Sequence, residues 1–523
     1  MNTLECPWIE TVSLSADSQD DSKVIVSDSH GPVARVSKTI ADVLECARTT
    51  APELDLDALA GICNQDVDEI RTTLTYLSDL VRPPESGHKK RIYREGSFSV
   101  QFTLLNPSAL FAKLPFIPRL VTWPPFYWGT WVCAGVGLML ALAAIADPTS
   151  PVHGSLTVVG YLAVLAGFFL STFVHEFSHG ATLVGFGGTS SRLGLMLFYF
   201  TPAFFCDVTD AWRITPRQRV KVALAGIQAQ ALIGSLSIII GETAATSWAT
   251  EFMMFGVVQY AYAVLDAIPL VKLDGYVALA GYLDRPNLRT ITMGRFYDTI
   301  VDLLNGRHSQ RDNDLSFGWA LYAIGCLLFP FILVGVAVLT LDSVLVAVGS
   351  LGDYLSLAGF AVAAALVIRV IWNAYTKVVR HVKHLVVRIG ALAVLVAAMT
   401  AFVTMVPIPL GVAGGITVVG DQTVLMVDDD VVFIEPGDIV TYTTPGVIPG
   451  RPLGTTTVTG QGTACSIPIT DVAPLKGISA EVPGLCYPLD TLPIGNSYPV
   501  SARIKAEKST ILGRIQFLID RLT

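Results

Sequence analysis

The chain has 523 residues, of which 52% are hydrophobic and only 15% are charged. This composition, with a mean hydropathy of +0.56, is typical of a polytopic membrane protein that also carries soluble parts. The net charge of -8 and the pI near 5.5 argue against nucleic acid as a partner.

The N-terminal hundred residues predict a tail and a small soluble module. Residues 1–22 are rich in serine and acidic side chains, so we expect a disordered tail. Residues 23–36 alternate weakly and predict a hairpin, residues 38–82 contain three helical patterns, and residues 98–104 predict a closing strand. This order predicts a winged-helix-like α/β module over residues 23–105.

Long apolar segments follow, and each has the length that a bilayer requires. They predict seven membrane spans, near 127–146, 156–174, 222–241, 252–271, 317–341, 355–374 and 389–409. The intervening segment 194–206 is too short and too proline-broken to span, so a re-entrant hairpin packed against protein is predicted there.

Loop charges predict the orientation of these spans. The loops near 147–155, 242–251 and 342–354 contain no Lys or Arg, whereas the alternate loops and the segment before the first span are basic. The positive-inside rule therefore predicts a cytoplasmic N-terminus, a membrane core over residues 120–410 and an extracytoplasmic region over 411–523.

The β-branched segments of this C-terminal region predict a β-rich domain. Residues 511–522 predict a terminal amphipathic helix that docks on that domain or lies at the membrane surface. In that oxidising compartment, Cys465 and Cys486 are candidates for a disulfide.

The most informative pattern is His175-Glu176-Phe177-Ser178-His179, which follows an uncharged apolar stretch. Ionisable groups are rare at membrane depth and usually mark function. On a helix, positions i and i+4 share a face, so both imidazoles can bind one Zn²⁺ ion while Glu176 serves as the base for a water. The pattern predicts a zinc hydrolase site inside the membrane core.

A catalytic zinc site needs a third protein ligand. Asp274 lies at the cytoplasmic end of the predicted fourth span, and Gly275 beside it would allow the backbone to approach the metal closely. An ordinary Asp-Gly turn at a helix end explains the same pair, and Asp266 is the competing ligand. Gln228 and Gln230, on the third span, are candidates for binding substrate backbone or for bonding neighbouring helices.

These residues resemble the site-2 protease family of intramembrane zinc metalloproteases. The family combines a membrane-embedded H-E-x-x-H with a later N-x-x-P-x-x-x-x-D-G element, which reads here Asp266-Ala-Ile-Pro-Leu-Val-Lys-Leu-Asp274-Gly275. Its A-G-P-x-x-N pattern reads Ala225-Gly-Ile-Gln-Ala-Gln230. The resemblance implies Asp274 as third ligand, and Gln230 and Asp266 at positions that hold an extended substrate. The chain departs from the family at Asp266 and Gln230, where the family has Asn, and at Ile227, where it has Pro.

A closer resemblance covers about half of the chain, roughly residues 35–300. Residues 274–289 are similar to bacterial peptide zinc metalloproteases encoded beside clusters for ribosomally made peptide natural products, including the daptide type. The N-terminal module resembles the leader-peptide-binding chaperone of PQQ biosynthesis. The resemblance implies a multi-pass protein of the bacterial plasma membrane that cleaves a leader or membrane peptide during maturation or export, with a peptide exporter as a further candidate partner.

Two other functions compete with proteolysis. One is a non-proteolytic export or immunity protein that keeps the fold, and the other is a metal or peptide transporter that uses the histidine pair as a binding site. The intact Glu176 argues against the first, because a pure binding site does not need that base. The sequence suggests neither the paired repeats nor the second set of midplane ligands that a transporter would have, which argues against transport.

Overall fold

The computed structural model of the chain describes most of its residues. They are 3–80 without 7, 10–11, 17–22, 29–30, 49–52 and 64–65; 92–94; 99–306 without 199–200, 245–246 and 286; 316–405 without 346–349; and 407–522 without 409–410, 420–421, 429–433, 444–451, 469, 471–474, 478, 480, 491–499 and 506–508. They group into two units, one of Met1–Gly135, Phe168–Ile233 and Gln259–Pro286, the other of Val136–Gly167, Gly234–Val258 and Asn287–Thr523.

Helices account for the larger share of the regular structure. In chain order they are α1 (Lys38–Arg48), α2 (Leu56–Cys63), α3 (Val67–Leu80), α4 (Pro107–Lys113), α5 (Phe116–Thr122), α6 (Pro124–Ala146), α7 (Val158–Gly185), α8 (Pro216–Thr243), α9 (Ala249–Ala267), α10 (Asp274–Tyr282), α11 (Leu288–Leu304), α12 (Phe317–Leu345), α13 (Ser350–Val379), α14 (Leu385–Met405) and α15 (Ile511–Leu522).

Strands lie before, between and after the long helices. In chain order they are β1 (Thr3–Glu5), β2 (Ser13–Ala16), β3 (Lys23–Asp28), β4 (Gly31–Ser37), β5 (Glu53–Asp55), β6 (Ile92–Arg94), β7 (Ser99–Leu105), β8 (Leu156–Thr157), β9 (Leu193–Phe198), β10 (Thr201–Cys206), β11 (Pro407–Ile408), β12 (Gly411–Val419), β13 (Gln422–Asp428), β14 (Ile439–Thr443), β15 (Pro452–Thr457), β16 (Thr463–Pro468), β17 (Leu475–Lys476), β18 (Glu481–Pro488), β19 (Val500–Lys505) and β20 (Ser509–Thr510).

Six helices in the described part of the chain are long and apolar enough to cross a membrane. They are α6, α7, α8, α12 over Phe317–Asp342, α13 over Gly352–Val379, and α14. The fourth predicted span is the helix α9, but it is not among the six because Glu251, Gln259 and Asp266 make it more polar. The structure therefore supports a polytopic helical membrane protein with six candidate spans, where the sequence predicts seven.

The N-terminal module has its own hydrophobic core. β2, β3 and β4 form an antiparallel sheet, and β1 pairs with β5. The helices α1, α2 and α3 contribute Leu44, Leu59, Ile70, Leu74 and Leu77, all fully or almost fully buried at helical spacing. The three predicted helical patterns are thus confirmed.

Two predictions for this region are wrong. The predicted disordered tail contains β1 and β2, and Trp8, Ile9 and Val12 are buried in the core, because apolar side chains occur among its polar ones. The predicted closing strand is β7, which pairs with β6 and β9 and not with the module's sheet. The module therefore has the predicted hairpin, β3–β4, before its helices but not β7 as a closing strand, which differs from the predicted winged-helix-like order. The outer strand β4 of its sheet lies against the 3₁₀ helix Thr209–Arg213.

The segment predicted as a re-entrant hairpin is a β-hairpin. β9 and β10 pair antiparallel, with Phe198 opposite Thr201. Together with β7 and β6 they form a four-stranded sheet in the order β10-β9-β7-β6, so β10 is an edge strand. The last residue of β10 is Cys206, which lies beside Glu176 of α7.

The C-terminal region is β-rich, as predicted. Seven antiparallel strands form one sheet in the order β15-β14-β19-β12-β13-β18-β16, with Ile416, Leu425 and Val440 fully buried in its core. A disulfide joins Cys465 on β16 to Cys486 on β18. The predicted terminal helix is α15, and it packs on α13 and α14.

Candidate metal centre

α7 places His175 and His179 one turn apart on the same face. Their Nε2 atoms are 3.1 Å apart, and each residue is only 5% exposed. The helix has 28 residues and is therefore about 42 Å long, longer than the roughly 30 Å apolar core of a bilayer. The spacing i, i+4 brings the two imidazoles together as the sequence predicts.

Asp274 completes the cluster from the first turn of α10. Its Oδ2 atom lies 2.9 Å from Nε2 of His175 and 3.0 Å from Nε2 of His179. A Cβ atom on Gly275 would lie 2.1 Å from the carbonyl oxygen of Ala267, so only glycine lets α10 pack on the end of α9. Gly275 thus permits a helix–helix approach, whereas the sequence analysis expected it to approach the metal.

The three ligand atoms fit a zinc ion. A circle through atoms 2.9–3.1 Å apart has a radius of about 1.7 Å, so a point about 2.0–2.1 Å from all three, the distance of zinc–ligand bonds, exists outside their plane. Oδ2 of Asp274 is buried, and its nearest polar neighbours are the two imidazole nitrogens. Among the described residues, only His175, His179 and Asp274 form a group of three or more potential ligands with this convergence.

Gly226 on α8 faces the Nε2 atoms of the two histidines, and its lack of a side chain keeps the space in front of them open. A Cβ atom there would lie 2.4 Å from Nε2 of His175 and 2.5 Å from Nε2 of His179. The sequence analysis missed this role, although Gly226 is the glycine of the A-G-x-x-x-Q pattern. Because any side chain at this position would fill the space in front of the two Nε2 atoms, the glycine is part of the candidate site.

The two histidines differ in what holds their other ring nitrogen. Nδ1 of His179 lies 2.7 Å from the carbonyl oxygen of Val222, which leaves Nε2 as the atom that faces His175 and Asp274. Nδ1 of His175 is buried without a hydrogen-bond partner, and the nearest carboxylate atom is Oδ2 of Asp266 at 3.9 Å. Asp266, the competing third ligand, therefore lies beside the Nδ1 atom of His175 and outside the ligand group.

Glu176 is positioned by the hairpin. Its carboxylate accepts a hydrogen bond from the backbone N–H of Cys206 at the end of β10, and it lies within electrostatic reach of His179, His175 and Asp274. The sequence gives no signal for this contact, because the donor is a backbone group. The edge strand thus ends on the residue that the pattern predicts as the base.

Two titratable groups outside the spanning helices complete the electrostatics. Burial, with Glu176 and Asp207 nearby, raises the pKa of the Cys206 thiol to about 12, so the thiol is protonated at neutral pH. Burial alone would raise the pKa of Asp274, but His179 and His175 outweigh it and hold that pKa well below its usual range. Asp274 is therefore ionised, as a metal ligand must be.

Two glutamines on α8 have different surroundings. Gln228 donates from Nε2 to the carbonyl oxygen of Tyr127 at 2.8 Å and to the hydroxyl of Thr130, so it bonds α8 to α6. Gln230 is fully buried, and neither of its amide atoms has a hydrogen-bond partner. Gln230 follows Gly226 by four residues, so both lie on the face of α8 that meets the metal ligands. Of the two, Gln230 is the one with free donor and acceptor capacity.

An arginine that the sequence analysis did not single out fixes the far end of α10. The buried guanidinium of Arg219 donates to Asp284 Oδ1 at 2.8 Å and lies 4.0 Å over the ring of Trp212. Because Arg219 is one turn before Val222 on α8, this contact links the helix that orients His179 to the helix that carries Asp274. In the sequence, Arg219 is one of several basic residues near the start of α8, so nothing marks it as the residue that links α8 to α10.

No family model, curated protein or solved structure matches this chain. The resemblance to the site-2 proteases thus stays a prediction, and the function is argued below from the site.

Proposed function

We propose that the protein is an intramembrane zinc metalloprotease that hydrolyses a peptide bond in a leader or membrane peptide. The convergence of His175, His179 and Asp274 beside Glu176, on helices of a polytopic membrane protein, carries this proposal. A site that only bound metal would have no need of a carboxylate held next to the ligands but outside their group.

The chemistry follows from the placement of these side chains. His175, His179 and Asp274 would hold Zn²⁺, which when bound supplies Lewis-acid activation of water and of the scissile carbonyl. Glu176 takes the proton of the attacking water and gives it to the leaving amine. The N–H of Cys206 keeps the Glu176 carboxylate oriented while the proton is transferred.

The edge strand β10 supports a peptide as the substrate. It runs to Cys206, and its outer edge can add an extended strand whose backbone hydrogen bonds do not depend on sequence. The unpartnered amide of Gln230 has one donor group and one acceptor, as a peptide backbone requires. Both features suit an extended peptide chain better than a small solute.

We further propose that α9 is a seventh crossing. β17 of the C-terminal domain pairs with β8, which directly precedes α7. Five candidate spans, α7, α8, α12, α13 and α14, lie between β8 and that domain, and an odd number would end on the side opposite to β8. One more crossing, by α9, removes this conflict. The Cys465–Cys486 disulfide and the basic alternate loops favour the outside of a bacterial plasma membrane for this domain.

The test is the Glu176→Gln variant, co-expressed with candidate precursor peptides from neighbouring genes. We expect processing, followed by mass spectrometry of the peptide termini, to fall by about 10²–10⁴-fold, as for loss of a general base. The zinc content of the purified variant should equal that of the wild type, because Glu176 is outside the ligand group.

The matched control is Glu242→Gln, an exposed glutamate near the end of α8. It should process the precursors at the wild-type rate. Normal processing by Glu176→Gln would contradict proteolysis at this site and favour an export, immunity or transport protein. A wild-type protein that holds no zinc would also contradict the proposal.

A further inference from the structure

Asp266 has no role in the proposed reaction so far, yet it is one of the few buried carboxylates near the site. It is 5% exposed, lies on the last turn of α9 and comes within 3.9 Å of Nδ1 of His175. Such a carboxylate is expensive to bury unless it has a partner. The nearest candidate partner is the imidazole of a metal ligand.

The surroundings of the two ligand histidines show what is missing at His175. Each imidazole that binds a metal through Nε2 carries its proton on Nδ1, and that N–H needs an acceptor. His179 has one in the carbonyl oxygen of Val222 at 2.7 Å. Nδ1 of His175 is buried without one, and leaving a buried donor unmet is unfavourable.

We propose that Asp266 is a positioning residue that accepts the Nδ1–H of His175 and so fixes Nε2 of that ring toward the metal. This inference rests on the proposed zinc site and deepens it. The two ring nitrogens point away from each other, so a carboxylate beside Nδ1 is behind the ring as seen from Nε2. Asp266 therefore acts through His175 and touches neither the ion nor the reacting atoms.

The distance is compatible with this role. A charge-assisted N–H···O bond is about 2.7–2.9 Å long, so the gap to close is about 1 Å, within reach of a small rotation of the Asp266 side chain. The close packing of α10 on Ala267, the residue after Asp266, holds the end of α9 in place. The same packing that delivers Asp274 to the metal thus delivers Asp266 to the second coordination shell.

The test measures metal affinity, not activity, using Co²⁺ as the probe in titrations of the purified full-length protein in detergent. Loss of an outer-shell acceptor lowers metal affinity by about 10–100-fold, so we expect this fall for Asp266→Ala. Asp266→Asn keeps an acceptor oxygen, so its affinity should lie between those of the wild type and Asp266→Ala. The d–d absorption should keep its tetrahedral shape in both variants, because the three ligands are unchanged.

The control is Asp298→Asn, which removes one carboxylate from the exposed face of α11 and should bind Co²⁺ like the wild type. Unchanged affinity in Asp266→Ala would overturn the inference. A changed coordination spectrum would also overturn it, because Asp266 would then be a direct ligand. If Asp266→Ala does not fold, Asp266→Asn decides, and an affinity equal to that of the wild type overturns the inference. A wild type without Co²⁺ or Zn²⁺ affinity would instead defeat the zinc site itself.

Discussion

Two of the regions in which the described chain buries polar groups satisfy them in different ways. In the candidate metal centre, Nδ1 of His175 and both amide atoms of Gln230 are buried without hydrogen-bond partners. At the seat of the terminal helix, Arg514 of α15 donates two hydrogen bonds, of 3.0 and 3.1 Å, to the buried carboxylate of Asp342 on α12. The candidate metal centre has unused hydrogen-bonding capacity. Asp342 and Arg514 instead satisfy each other.

This difference separates a binding site from a structural contact. Buried polar groups in folded proteins nearly always find partners, so a cluster that lacks them points to a ligand, an ion or water that supplies them. An ion pair such as Asp342–Arg514 needs no further partner. A polar group inside an apolar helix therefore does not by itself indicate a function. A cluster of buried polar groups without hydrogen-bond partners does.

The strongest test of the comparison fills the space at the metal centre without changing any polar group. In Gly226→Ala, the new methyl group would lie 2.4–2.5 Å from the Nε2 atoms of both histidines. We expect the variant to lose zinc altogether, at least about a 10³-fold fall in affinity, because two ligands lose access to the ion. Zinc content and Co²⁺ titration measure this loss.

The control for Gly226→Ala is Gly135→Ala on α6, where an added Cβ atom meets nothing within 4 Å. It should keep full metal affinity. If Gly226→Ala also keeps it, the ligand atoms do not converge in front of α8, and the centre is built differently from this description.

A second test breaks the satisfied pair. Arg514→Ala leaves the carboxylate of Asp342 buried and unpaired, so we expect a loss of about 3–5 kcal/mol in the free energy of unfolding. Chemical unfolding of the protein in detergent measures it, and zinc affinity should not change.

The double variant Arg514→Met/Asp342→Leu is the internal control for the pair. Since apolar residues of similar size can replace a buried ion pair, it should be more stable than Arg514→Ala. A double variant as unstable as the single one would show that the loss comes from packing of α15 rather than from an unpaired charge.

The disulfide of the C-terminal domain gives a third, intermediate effect. Replacing both Cys465 and Cys486 by Ser opens a loop of 21 residues, for which we expect a loss of about 3 kcal/mol in the stability of that domain. Zinc affinity should again be unchanged. Thiol alkylation of cells before and after reduction shows whether the bond exists in vivo, and free thiols at both positions would contradict an extracytoplasmic domain.

The site could be predicted from the sequence where its geometry is local. His175 and His179 are one helical turn apart, so their spacing alone places them on one face, and Asp274 follows a predicted span that ends at the same depth. Gly226 and the N–H of Cys206 reach the site only through tertiary packing, and a backbone donor leaves no mark on a residue pattern. The unmet Nδ1 of His175 likewise becomes visible only in three dimensions.

The fold shows the same limit. Apolar length predicts the spanning helices, because the bilayer imposes it on each helix separately. The pairing of β7 with β9 joins strands separated by more than 80 residues, and the sequence instead suggested a partner nearby. Acidic composition also concealed the buried Trp8 and Ile9 between the first two strands, because a few apolar side chains are enough to order a short segment.

The smallest expected effects come from substitutions of Gln228 and Gln230 on α8. The first has hydrogen-bond partners and the second has none, so a single helical turn contains both kinds of buried polar group. Gln228→Leu removes the hydrogen bonds to α6, and such bonds between membrane helices are worth about 0.6 kcal/mol on average. Gln230→Leu removes two amide atoms that have no partner, so stability should stay the same or rise, by up to about 1 kcal/mol. If Gln230 binds the peptide backbone, precursor cleavage should nevertheless fall more in Gln230→Leu than in Gln228→Leu.

Unfolding in detergent ranks the two variants by stability, and processing of the precursor ranks them by cleavage. A Gln230→Leu protein that is less stable than Gln228→Leu, yet cleaves normally, would make Gln230 a structural residue and would remove the amide from the proposed substrate site.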